Sequence, residues 1–150
     1  MTKKQVWLYS CDFCKKKKGR SSGHMRRHEQ SCTLNPNRVC RVCKMQGGVQ
    51  RPIEELKCLL PNPAIFKTED AFVENVIFNG LTEKVNEALP ALRETCGNCP
   101  ACVMAALRQK GIPIPVATDF KFSDEMKAIW AEINEAALKR DQESYHYGQY

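Results

Sequence analysis

The chain has 150 residues, nine of them cysteine, and carries a formal net charge of +6 at pH 7. That length allows one ordinary domain, or a small module attached to a modest one, and no apolar run approaches the roughly 20 residues that span a bilayer, which argues against any membrane partner. Met1-Thr2-Lys3-Lys4-Gln5 leads into no signal-peptide hydrophobic region, so the cysteines are expected in a reducing intracellular compartment, held as metal thiolates instead of disulfides.

The charge is spread unevenly. Residues 1–51 hold 13 Lys and Arg against Asp12 and Glu29, a net of +11, while residues 52–150 carry −5. A basic head on an acidic body points to nucleic acid, or an acidic protein surface, as the partner of the head.

In chain order, Val6-Trp7-Leu8-Tyr9 is a β-prone run that predicts a strand entering the knuckle Cys11-Asp12-Phe13-Cys14. Lys15, Lys16, Lys17, Lys18 and Arg20 follow, where a second strand and the approach to a helix are expected. Ser21 and Ser22 suit the start of that helix, because a hydroxyl accepts its first free N–H groups. A helix over residues 23–30 puts His28 and Cys32 one turn apart on one face. The spacing C-x2-C-x13-H-x3-C thus predicts a metal site of Cys11, Cys14, His28 and Cys32. His24 offers a rival set with Cys11, Cys14 and His28, with a shorter gap.

Residues 7–34 resemble the C2H2 zinc-finger family in its variant with a final cysteine, through Tyr9, Cys11, Cys14, Met25, His28 and Cys32. Lys18 stands where that family usually has an aromatic residue, and the gap from Cys14 to His28 is one residue longer than usual. The resemblance implies a ββα unit with Tyr9 and Met25 in a small core beside the metal. It also implies that Ser21, His24 and Arg27 face bases in the major groove, with Arg27 able to donate two hydrogen bonds to guanine. Lys15 to Lys18, Arg20 and Arg26 would then bind phosphates. One finger reads only about three base pairs, so a zinc-stabilised protein-docking knob is the competing reading.

Thr33-Leu34-Asn35-Pro36-Asn37 predicts a turn, and residues 33–39 form a short linker to a second knuckle, Cys40-Arg41-Val42-Cys43. A short helix is expected after Pro52, with Cys58 as a buried small side chain among leucines. Beyond Pro61-Asn62-Pro63, Thr68 is expected to cap a helix to about Asn79 with Phe72, Val73, Val76 and Ile77 buried. Thr82 is expected to cap another, with Val85, Leu89 and Leu92 inward and an interruption at Pro90. Cys96-Gly97-Asn98-Cys99-Pro100-Ala101-Cys102 then opens a helix ended by Gly111.

This cysteine triplet supplies the second half of a second site, Cys40, Cys43, Cys99 and Cys102, with Cys96 spare; Cys96/Cys99 is the alternative pair. A ligand pair at a helix start joined to a remote knuckle resembles a treble-clef zinc site. The triplet also resembles part of an iron–sulfur ligand run. Residues 112–115 read as an extended connector, and Ser123 is expected to cap a last helix with Met126, Ile129, Trp130, Ile133 and Ala137 as its apolar stripe.

The expected fold is therefore α-rich, small and zinc-stabilised: a ββα-like finger (1–34), a helical zinc-binding body (35–115) and a C-terminal amphipathic helix with a tail (116–150). No phosphate loop, serine elbow or open metal site points to an enzyme. The expected function is nucleic-acid binding through the basic finger, with two Zn2+ per chain. The alternative is a zinc-stabilised adaptor or assembly protein that binds proteins through its last helix or its finger. The dense C-x2-C usage also resembles small zinc-binding proteins of tailed bacteriophages, which would imply a virion or regulatory role in a host cytoplasm.

Overall fold

A computed structural model of the chain describes residues 1–68, 77–78 and 80–147. They fall into two compact units, Met1–Asp119 and Phe120–Tyr150. The molecule is a small α-rich protein with a two-stranded N-terminal sheet and two Cys/His clusters suited to metal.

In the first unit, β1 (Tyr9–Ser10) pairs antiparallel with β2 (Lys18–Gly19) in the register Tyr9↔Gly19 and Ser10↔Lys18. Lys18 enters a strand although it is not aromatic, and its side chain is exposed. Helix α1 (Ser22–Ser31) follows, with the Ser21 hydroxyl accepting the His24 N–H at 3.3 Å. Met25 is buried with Cys11 and Cys32, and Leu34, from beyond the helix, adds cover to that cluster. Tyr9 does not join it: it is 43% exposed. A two-residue strand leaves nothing to fold the ring inward, and the sulfur ligands with Met25 already fill the small core.

Carbonyls in the last two turns of α1 take further donors from the residues that follow the helix. Arg27 O accepts from Arg41 Nη2 at 2.8 Å, Glu29 O from Asn35 Nδ2 at 2.7 Å, and Gln30 O from the Val39 N–H at 2.7 Å. Asn35, only 7% exposed, also accepts the Asn37 N–H on its side-chain oxygen. Residues 33–39 are thus not a free tether.

The second knuckle lies on α2 (Arg41–Met45). Helix α3 (Ile53–Cys58) starts after Pro52 and buries Ile53 and Leu56. Cys58, expected inside, is exposed, because the buried stripe of α3 falls on Ile53, Leu56 and Leu60 and turns position 58 outward. Beyond a 3-10 turn over Pro63–Phe66, β3 (Lys67–Thr68) pairs antiparallel with β4 (Ile77–Phe78). Thr68 and Ile77, expected at the cap and on the buried face of one helix, are therefore strand partners, Thr68 opposite Ile77. The expected core positions Phe72, Val73 and Val76 lie outside the described residues.

Helix α4 (Leu81–Thr95) begins after Gly80, whose φ of 79° is left-handed, so Thr82 lies inside the first turn and does not cap it. Leu81, Val85, Leu89 and Leu92 form its buried face. Pro90 is exposed and sits within a continuous helix, where it leaves the Asn86 carbonyl without an intrahelical donor. Helix α5 (Pro100–Lys110) packs on α3 and buries Val103, Ala105, Ala106 and Leu107. It ends in a Schellman motif: Gly111, at φ 81°, donates to Arg108 O, and Ile112 donates to Leu107 O at 2.9 Å. The expected extended connector forms a 3-10 turn over Ile114–Val116.

The second unit is built on α6 (Phe122–Tyr147), which starts one residue before Ser123, so that serine is not its cap. Ile129 is buried, whereas Trp130 and Leu138 are exposed. Among the described residues, no helix is long and apolar enough to cross a membrane.

Candidate metal centres

Two groups of ligand atoms converge, Cys11, Cys14, His28 and Cys32 in one and Cys40, Cys43, Cys99 and Cys102 in the other, with all atoms of each group within 4.8 Å of one another. Cys14 Sγ lies 3.4 Å from His28 Nε2; Cys40 Sγ is 3.5 Å from Cys99 Sγ, and Cys43 Sγ is 3.5 Å from Cys102 Sγ. A tetrahedron with metal–sulfur bonds of about 2.3 Å has sulfur–sulfur edges of about 3.8 Å. The sulfurs are far too separated for a disulfide, at about 2 Å, and close enough to share one ion. An iron–sulfur cluster interposes further atoms and spreads its ligands wider. Both groups fit a mononuclear, four-coordinate centre.

The first group is built by the hairpin and α1. Cys11 accepts the Lys15 N–H on its carbonyl at 2.9 Å and donates its own N–H to Lys17 O at 3.0 Å, which folds residues 11–17 into a knuckle. Lys15 takes a φ of 54° to close it. His28 on α1 and Cys32 at its C-cap join the cluster, and His24 stays exposed outside it. Glu29 Oε1 accepts the Asp12 N–H at 3.0 Å, so one of the head's two acids serves the knuckle. Burial raises the Cys14 thiol, but backbone N–H groups at Lys17 and Lys16 and the His28 ring outweigh it and bring it down to about 6. Burial and the nearby Cys11 hold Cys32 above the ordinary thiol value.

The second group joins residues far apart in sequence. Cys40 and Cys43 flank the start of α2, and Cys99 and Cys102 flank the start of α5. Gly97 and Asn98, at φ 63° and 57°, turn the chain into that helix; glycine and asparagine are the residues that adopt this conformation at least cost. Cys96 is buried but outside the group: its Sγ lies 3.6 Å from Arg93 O and 3.8 Å from Cys99 O. All four ligands are buried, and their sulfurs lie within hydrogen-bond reach of one another. Donation from Cys102 and Cys99 holds Cys40 well below the usual thiol range. Burial and the adjacent Cys99 push Cys43 up to about 12, and Cys102, as donor to Cys40 and Cys99, is raised too.

Three residues behind this centre carry no sequence signal. Arg38 is 5% exposed and points Nη1 at Cys102 Sγ, 3.7 Å away. Burial works against its charge, but Cys40 and Cys102 hold the guanidinium above its ordinary value. Gln50 accepts the Cys40 N–H and donates to Arg38 O at 2.7 Å, so one side chain ties the ligand to the arginine. Gln109 of α5 donates to Thr33 O at 2.9 Å and Asn35 O at 3.0 Å, binding the linker to the helix that carries two ligands.

Of the residues expected to meet nucleic acid, Lys15, Lys16, Lys17, Lys18, Arg20, Ser21, His24, Arg26 and Arg27 are all exposed. Among the described residues, the ion pairs are Lys57–Glu54, Lys84–Glu87, Lys127–Asp124 and Lys139–Glu135. None involves a cation of residues 1–51. No family model, curated protein or solved structure matches this chain.

Proposed function

We propose that this is a non-enzymatic nucleic-acid-binding protein whose shape depends on two zinc ions and whose finger supplies the binding surface. Donor sets of three thiolates with an imidazole, and of four thiolates, favour a soft-tolerant, tetrahedral ion such as Zn2+. Four protein ligands at each centre leave no position for a substrate water, which supports structural roles for both metals. The observation that carries the binding assignment is the basic head itself: among the described residues its 13 cations take no part in ion pairs, and all but Arg38 are exposed. Exposed cations without an ion-pair partner are available to phosphates.

The test is binding to duplex DNA and to hairpin RNA across a salt series. Wild type should bind with a strong salt dependence. Neutralising Lys15–Lys18 together with Arg27→Ala should weaken binding and flatten the slope of log K on log salt by about one for each phosphate that the variant no longer neutralises. Unchanged affinity in that variant removes the assignment.

The adaptor reading is favoured by Val6, Trp7 and Leu8, which are 53%, 80% and 62% exposed beside the finger. A protein that co-purifies stoichiometrically with wild type but not with Trp7→Ser, together with no nucleic-acid binding, would establish it.

A further inference from the structure

The finger helix does not present its outer face alone. His24, Arg27, His28 and Ser31 recur at helical spacing along α1, and Arg41 of the second knuckle closes over the same face. Together these five residues line a concavity of about 320 Å³. Arg41 is exposed and held there, its Nη2 donating to Arg27 O at 2.8 Å. That bond uses one of five guanidinium donors and leaves the others free. No acid lines the hollow, and none of its cations is ion-paired among the described residues. Two guanidinium groups and the exposed His24 imidazole around an acid-free hollow are the donor set for a phosphate; the Ser31 hydroxyl at its edge donates to Arg27 O at 3.3 Å and His28 O at 3.4 Å.

We propose that Arg41, with Arg27 and His24, forms a phosphate-binding subsite that grips one backbone phosphodiester of the nucleic acid on the finger. The proposal rests on the nucleic-acid reading above and adds that the second metal-built module contributes to the interface. A single finger has a small contact surface, and the subsite enlarges it with a group from a different part of the chain. Because Arg41 is already fixed by the α1 carbonyl, little side-chain freedom is lost on binding. The contact reads no base, so it strengthens binding to all sequences alike.

The test compares wild type, Arg41→Ala, Arg41→Gln and Arg41→Lys at equal metal content, with duplex DNA and hairpin RNA as separate probes. Arg41→Ala and Arg41→Gln should lose about tenfold in affinity on every sequence, with the salt slope reduced by about one. Arg41→Lys should keep the slope and recover part of the affinity, since charge remains but the planar fork does not. A second measurement on the wild-type protein needs no variant to fold: the Arg41 Nε–Hε resonance should shift on titration with duplex, while that of Arg108 should not. If wild type binds but Arg41 neither shifts nor matters, the subsite is wrong and the finger reading stands. If wild type binds neither nucleic acid, both fall. A Glu-rich peptide that binds through Arg41 more tightly than either nucleic acid would overturn the phosphodiester assignment.

Discussion

Arg38 places a positive charge against the four converging cysteines of the second centre. It is buried, and its Nε is an enclosed polar atom without a hydrogen-bond partner. An orphaned atom of that kind is costly, which argues that the charge beside Cys102 offsets the loss. Replacing Arg38 with methionine should weaken metal binding at the four-cysteine centre by about 10–100-fold, measured by competition with a chromophoric chelator, while the N-terminal centre keeps its affinity. The cysteines themselves should separate cleanly by elemental analysis. Cys14→Ser and Cys102→Ser should each reduce the metal content from two ions to one, and Cys96→Ser and Cys58→Ser should leave two. Loss of metal in Cys96→Ser would reinstate the alternative ligand pair.

At the scale of elements, α5 unites several tasks in eleven residues: two ligands at its start, packing against α3, and polar bonds to the linker from its last turn. Gly111→Ala should lower stability by about 1–2 kcal/mol, the cost of a left-handed conformation for a residue with a Cβ, read by chemical denaturation. The position offers space, since the added carbon would meet Pro63 Cγ only at 3.9 Å. Leu107→Ala, within the core, should cost about 2–5 kcal/mol. This helix is legible in the sequence because Pro100 suits its first turn and Gly111 its end. The ligand spacing is legible for a similar reason: x2 and x3 gaps fit the bite of one ion whatever surrounds them. The pairing of Thr68 with Ile77 is not, because local propensity around Thr68 favours a cap and only tertiary packing selects the strand. Asn35, Arg38, Arg41 and Gln50 are equally hidden, since their roles depend on how distant parts of the chain come together.

For the whole molecule, the metals and the protons compete for the same sulfurs. Bound to metal, a thiol's pKa is depressed far below its value in the metal-free chain, so the stabilisation is present above the free thiol's pKa and is lost as pH falls through the bound one. Acidification should therefore release both ions and unfold the first unit, with helical content by circular dichroism falling in step with metal release. The N-terminal centre, two of whose four ligands are only half-buried, should exchange its ion faster than the enclosed four-cysteine centre.

The carbonyls of α1 that end on Asn35, Val39 and Arg41 carry a thermodynamic consequence. Ordering either centre fixes residues the other needs: α1 holds His28 and leads into Cys32, and its final carbonyls are completed by residues that directly precede and follow Cys40. The ion that arrives first removes part of the conformational entropy that the second would have to overcome, so the two uptake events should be positively cooperative. Calorimetric titration of the metal-free chain should show a sigmoidal occupancy, and Asn35→Ala should reduce it toward two independent sites while leaving both ligand sets intact.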